Sequence, residues 1–390
     1  MNFDEIIERR GTHCQKWDMM EAYHGVPAED GIAMWVADMD FRPPAAVTDA
    51  LRRMVEHGVF GYFGDDRDYK AAIGWWMKTR HGWEIDPSWI FTTHGLVNGT
   101  SMCLDAYTAP GDGVVLFTPV YHAFARVIRA SGRSVVECPL VMRNGRYEMD
   151  FDAYDGRMTG REKMVILCSP HNPGGRVWSR AELQGVADFA KRHDLVLVAD
   201  EIHHDLVYPG QSHSVMDLVD ESLRDRLVMM TAATKTFNIA GAHVGNVIVP
   251  DETLRARFAA RMAALGMSPN SFGVEMVTAA YSPEGAAWLD ALVRYLDGNR
   301  RLFDDGVNAI PGLASMPLES TYLAWVDFAG TGMAPEEFTA RVEQGAKIAV
   351  NRGPTFGTGG ETFLRFNIAT PRARVREAVG RLQDAFGDLQ

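Results

Sequence analysis

In the stretch TAATKTFNIAG, residues 231–241, one lysine stands among small and apolar residues with no other charge beside it. A lysine on a short surface loop is the ordinary reading of such a residue. The chemical alternative is an amine held in an enclosed pocket, able to bond covalently to a carbonyl carbon. Asp200 closes the apolar run LVLVADEI (195–202), and Asn172 sits in SPHNPGG (169–175). A lysine amine can condense with the aldehyde of pyridoxal phosphate, whose ring is an electron sink. A buried carboxylate such as Asp200 keeps the pyridine nitrogen of that ring protonated, and the Asn172 amide can donate to its phenolic oxygen. Each residue also has an everyday role: an aspartate capping a turn, and turn chemistry at Asn-Pro and Gly-Gly. Tyr121, ending FTPVY (117–121), can stack on a cofactor ring or be an ordinary core tyrosine. In THGLVNGTSMCLDAY (93–107), Gly95 precedes a helical run that starts near Leu96. The backbone N–H groups of such a helix start suit a phosphate, and Thr234, directly before Lys235, adds a hydroxyl.

These residues need elements to position them. Short apolar runs occur at 89–95, 114–121, 164–170, 195–202, 226–234 and 245–250. Helical patterns lie between several of them, among them SRAELQGVADFAKRH (179–193), which opens with the capping-box pair Ser179 and Glu182. Strands alternating with helices predict an α/β fold with a mostly parallel central sheet flanked by helices. Its strands are apolar throughout because both faces are covered. Ligands of such sheets bind beyond the carboxyl ends of the strands, and the residues named above fall there. From about residue 285 the pattern changes to a long amphipathic helix, strand-like YLAWVDF and FLRFNIA, and a final helix, the mark of a smaller α+β domain. The division expected is a large domain at 41–285 and a small one built from 1–40 and 286–390.

The chain has 390 residues, 46% of them hydrophobic, with a formal net charge of −12, which argues against a nucleic-acid partner. No apolar run approaches the roughly 18 residues of a membrane span. The segment MNFDEIIERRG lacks the apolar core of a secretion signal. Four scattered cysteines form no CxxC pair, so a cytoplasmic protein with reduced thiols is expected. Asp200, Glu201, His203, His204 and His213 are of the types that bind zinc or iron. No HExxH-type spacing joins them, however, so no metal is expected and His204 and His213 read as ordinary loop histidines.

The order SPHNPGG, ADEIH and a Thr-Lys pair after a strand resembles the fold-type-I aminotransferase superfamily of pyridoxal-phosphate enzymes. More narrowly, ERRGTHCQKWD (8–18), MWVADMDFRPP (34–44), FGYF (60–63), DEIHHD (200–205), TKTFNIAG (234–241) and LRFNIATP (364–371) resemble the MalY/PatB family of cystathionine β-lyases, from about residue 3 to the C-terminus. The resemblance implies that Lys235 is the Schiff-base lysine, Asp200 the partner of the pyridine nitrogen, Asn172 the partner of the phenolic oxygen and Tyr121 the stacking ring. Gly95 and Leu96 then fall in the phosphate turn, and Arg365 grips the substrate α-carboxylate, a task that suits a planar guanidinium. Tyr62 matches a tyrosine that reaches the neighbouring subunit's cofactor, which implies a homodimer.

Three positions depart from many members of the superfamily. His203, counted among the cofactor-binding residues, stands where they have tyrosine. His243 replaces an arginine that touches the phosphate, and Ala232 replaces a serine. The lyase branch departs at the first two places as well. The implied reaction is β-elimination from cystathionine or another cysteine S-conjugate, giving pyruvate, ammonia and a thiol. The alternative is amino transfer between an L-amino acid and an oxo acid, which shares the first steps.

Overall fold

The computed structural model describes residues 1–389. The apolar runs form a seven-stranded sheet: β1 (Ile90–Thr93), β2 (Gly113–Leu116), β3 (Ser134–Glu137), β4 (Glu162–Cys168), β5 (Val196–Asp200), β6 (Leu227–Thr231) and β7 (Gly245–Ile248), in the order β1-β7-β6-β5-β4-β2-β3. Only β7 runs antiparallel to its neighbours. All six sequence-derived strands are present. β3 escaped the sequence reading because SVVE is a short edge strand, half-buried at best, without the long apolar run of a central one.

The apolar runs are continuous because successive side chains feed two different cores. On β4, Met164, Ile166 and Cys168 pack into one core while Val165 and Leu167 pack into the other. Helix α1 (Leu96–Tyr107) covers the first face with Leu96, Met102, Cys103 and Leu104. Helix α2 (Arg180–Arg192) covers the other with Leu183, Val186, Ala187 and Phe189. The expected capping box is formed in both directions: Ser179 accepts from the Glu182 N–H, and Glu182 accepts from the Ser179 N–H.

The long amphipathic pattern is one helix, α3 (Pro283–Asn308), and α4 (Arg372–Ala385) is the final helix. They cover an antiparallel sheet containing Leu323–Asp327 and Phe363–Asn367. Near the N-terminus, Ile32–Ala33 pairs in parallel with Ile348–Ala349. The segment that follows is clamped from two sides. Asn238 donates to the carbonyls of Met39 and Phe41, while Asn367 donates to those of Val36 and Asp38. Residues 35–41 therefore form a seam between the Lys235 loop and the Arg365 strand. No helix among the described residues is long and apolar enough to cross a membrane.

Candidate active site

At the carboxyl edge of the large sheet lies a cavity of about 430 Å³, walled by Gly95, Leu96, Tyr121, Asn172, Asp200, His203, Thr234, Lys235 and His243 among others. Five strand ends thus converge: those of β1, β2, β4, β5 and β6. Asp200 is the last residue of β5 and pairs in register with Cys168, the last of β4, which also lines the cavity.

Lys235 sits in a one-turn helix, Ala233–Thr236, directly after β6. Its Nζ donates to the Ala37 carbonyl at 2.6 Å. Burial disfavours its charged form, and the pull of Asp38 and Asp200 only partly offsets burial and the push of Arg365; the result is a pKa lowered to about 8. The Lys235 environment is therefore the enclosed one. Asp200 is likewise buried, and the Ile202 N–H, at 3.1 Å from Oδ1, is its hydrogen-bond partner. Desolvation raises its pKa to about 7, although Lys235 and His204 pull the other way. A carboxylate this destabilised has room for a cationic N–H partner.

Gly95 caps the start of α1 at φ +85°, a conformation that glycine adopts without strain. Gly95, Leu96 and Val97 line the cavity, and the first N–H groups of a helix have no intrahelical acceptors. Replacing Gly95 by alanine is expected to leave the protein folded and to weaken cofactor affinity roughly tenfold, since φ +85° with ψ 165° lies in a region nearly reserved for glycine and a side chain there costs about 1–3 kcal/mol at the turn expected to hold the phosphate. Titration of apoprotein with pyridoxal phosphate measures this; an unchanged Kd would remove the turn from the binding site.

Arg365 does not line the cavity wall but is joined to it through Asn172. Its Nη1 donates to Asn172 Oδ1 at 2.9 Å and its Nη2 to the Trp35 carbonyl at 3.0 Å. The Asn172 amide is thereby oriented, with its NH₂ left for a ligand oxygen. Arg365 is only 2% exposed, its Nε is unpartnered, and no carboxylate among the described residues pairs with it. Burial lowers its pKa to about 10. His203 is also buried with Nδ1 unpartnered, and burial together with Lys235 and Arg365 lowers its pKa to about 3, so it is neutral.

Tyr62 lies outside the cavity. It is fully exposed, on an irregular segment beside exposed Val55, Val59 and Phe60. His204 and His213 are not the ordinary loop histidines expected from sequence: both side chains are buried, because the turn after Asp200 folds inward against Glu201 and Asp205. Sequence reasoning also missed the Ala37 carbonyl and Arg126, another lining residue. Arg126 lies on a helix (His122–Ala130) that reads as an ordinary amphipathic one. Ala37 carries no reactive side chain, and only its place in the motif MWVADMDF hinted at it.

Fold and cavity define a protein of the aminotransferase class I and II family, whose model matches residues 29–382; the chain belongs to this family and has its fold-type-I architecture. It is 37% identical to cystathionine beta-lyase PatB of Bacillus subtilis over 99% of this chain and 100% of that protein. It is 32% identical to protein MalY of Escherichia coli over 99% and 98%. The solved structure of cystalysin from Treponema denticola, which contains a pyridoxal 5'-phosphate cofactor, matches with a TM-score of 0.95 at 35% identity over 100% and 99% of the two chains.

Proposed function

We propose that this protein is a pyridoxal-phosphate-dependent carbon–sulfur β-lyase that cleaves L-cystathionine or related cysteine S-conjugates to pyruvate, ammonia and a thiol. The observation that carries the reading is end-to-end similarity to a cystathionine β-lyase in a chain whose cavity holds a half-buried, low-pKa lysine. The residues fit the cofactor. Lys235 offers an amine for its aldehyde, Asp200 an under-partnered carboxylate for its ring nitrogen, and Asn172 a free amide donor for its phenolic oxygen. Gly95, Leu96 and Thr234 would hold its phosphate, and Tyr121 would stack on its ring. His203 supplies a neutral imidazole to the same wall. Bound there, pyridoxal phosphate supplies an electron sink conjugated to the substrate amine, which acidifies Cα.

The chain's own groups do the rest. Arg365 fixes the substrate α-carboxylate and so sets which Cα bond faces Lys235. With the cofactor and substrate bound, the Lys235 amine would stand free to take the Cα proton. Asp200 keeps a proton on the ring nitrogen throughout. The Cβ–S bond then breaks with its electron pair leaving on sulfur, and water completes the conversion to pyruvate and ammonia.

Residues 41–285 form the cofactor-binding domain in this reading, and 1–40 with 286–390 the smaller one. The enzyme works as a cytoplasmic homodimer, a reading supported by the exposed apolar stretch around Val59, Phe60 and Tyr62 and by four free cysteines. Tyr62 then serves the partner's cofactor. Tyr62→Ala is expected to raise the Kd for pyridoxal phosphate about tenfold without unfolding the chain; an unchanged Kd would remove Tyr62 from the site.

The deciding assay is pyruvate release from L-cystathionine without an oxo-acid acceptor. Sustained pyruvate and thiol formation supports the lyase, and turnover only when an acceptor is present would replace it with an aminotransferase. The pH dependence has a defined sign. Lys235, faced by Asp38, Asp200, Arg365 and His203, is a base only when deprotonated. Below the pKa of the free amine, lowered by burial to about 8, kcat, which reports the substrate-bound enzyme in which that amine is released, should rise about tenfold per pH unit and level off above it. A flat profile between pH 6 and 9 would exclude this lysine as the titrating base.

A further inference from the structure

Directly behind Asp200 and Lys235 lies a cluster of side chains that the lyase chemistry does not use. Glu201, His204 and Asp205 come from the turn after β5, His213 from the loop beyond it, and His81 from the end of the helix Arg67–His81. All five side chains are buried or nearly so. Linear spacing argues against a metal here, but the fold brings together what the spacing keeps apart.

We propose that Glu201, His204 and His213 form a structural site for a divalent transition-metal ion of the zinc type, beneath the cofactor cavity. One ligand atom from each residue lies within 4.8 Å of the other two. His213 Nε2 is 3.1 Å and His204 Nδ1 is 3.9 Å from Glu201 Oε2. Ligand atoms about 2.0–2.1 Å from a tetrahedral zinc ion stand roughly 3.3–3.4 Å apart; both contacts to Glu201 Oε2 lie within about half an ångström of that spacing, and the two histidines close from at most 4.8 Å.

Two further features point to a ligand. His204 is fully buried, yet neither of its ring nitrogens has a hydrogen-bond partner, and His213 Nδ1 has none either. The 3.9 Å gap between His204 Nδ1 and Glu201 is too long for a hydrogen bond. The surroundings are also built as those of a metal site are. The other nitrogen of His204, Nε2, faces Asp205 Oδ2 at 3.5 Å. Asp205 is itself held by the Trp76 indole at 3.0 Å, by His81 at 2.8 Å and by the Thr236 hydroxyl at 2.8 Å. The Met216 N–H fixes Glu201 Oε1 at 2.8 Å. A carboxylate behind a ligating histidine and a tethered carboxylate ligand orient the donors and raise their basicity. Glu201 and Asp205 are paired only with histidines, with no lysine or arginine beside either, and a divalent cation held by neutral imidazoles would take over that compensation. Because Glu201 adjoins Asp200, and Thr236 adjoins Lys235, an ion here braces the floor of the cavity.

The test uses the whole holoenzyme, purified and dialysed against chelator, then titrated with zinc chloride and, separately, cobalt chloride. The expected results are about one zinc ion per chain by elemental analysis, a Tm raised by several degrees, and the visible d–d absorption of tetrahedral cobalt, displaced by zinc. His213→Gln is expected to lose the cobalt band and the Tm shift while keeping its far-UV circular dichroism. If that variant does not fold, the wild-type cobalt spectrum and metal content still decide. Absence of a cobalt band and of a zinc-dependent Tm shift in wild type overturns the proposal. So does a band that persists in His213→Gln, which would put the ion elsewhere.

Discussion

Replacing Lys235 by alanine is expected to lower kcat/KM for L-cystathionine by about 10³-fold or more, with pyruvate release near background. In the proposed reaction two functions end together: the covalent hold on the cofactor and the base at Cα. A positioned base alone is worth about 10²–10⁴-fold. Among the cavity's titratable groups, His203 is held neutral but has its pKa pushed down to about 3, too weak a base to take a Cα proton. Tyr121 is pushed upward by burial, and Asp200 is the carboxylate proposed for the ring nitrogen. The truncation should not unfold the protein, because the Lys235 side chain makes one hydrogen bond, to the Ala37 carbonyl, and leaves no packed core behind. The variant's visible spectrum, its far-UV circular dichroism and its rate of pyruvate release are the measurements. A folded variant that retains a tenth of the wild-type rate would end the assignment of Lys235.

Arg365→Met is expected to lower kcat/KM by about 10²-fold or more, mainly through KM, while Tm changes by only a few degrees. The reasoning rests on a buried guanidinium with no counter-ion. Arg365 bonds to an amide and a carbonyl, lies 5.0 Å over the Phe356 ring, and has an orphaned Nε. Burying such a charge unpaired costs stability, and an apolar replacement of similar volume is often neutral or stabilising. A substrate carboxylate supplies the missing anion, so the cost is recovered only on binding; a residue kept for function rather than stability behaves this way. Parallel thermal scans and steady-state kinetics separate the two roles. A large Tm loss with unchanged KM would make Arg365 a structural residue and leave carboxylate recognition to another group.

Much of this protein is legible in its sequence where physical chemistry is local. The α/β alternation, the six apolar strands, the Ser179–Glu182 capping box and the helix start after Gly95 follow from side-chain burial, N-cap bonding and a glycine's freedom at positive φ. Trp75 and Trp76 divide as an amphipathic helix requires, the first at its edge and the second fully buried. That Lys235, Asp200 and Asn172 share one cavity was readable from their places at successive strand ends of one sheet, although each alone has an everyday role.

The remainder was decided by tertiary contacts between segments far apart in the chain. Nothing local says that the carbonyl of Ala37 meets Lys235, or that Arg365 reaches Asn172 across 193 positions. The low lysine pKa and the raised aspartate pKa are likewise products of enclosure, since desolvation acts only once the walls are assembled. His81, His204 and His213 show the same limit: spacing along the chain separated them, and folding put their rings around Glu201 and Asp205. Sequence by itself determines which groups are available and which elements carry them. Their mutual distances and charge states are set only by the tertiary structure, because dielectric environment and ligand geometry are properties of packed space rather than of neighbouring residues.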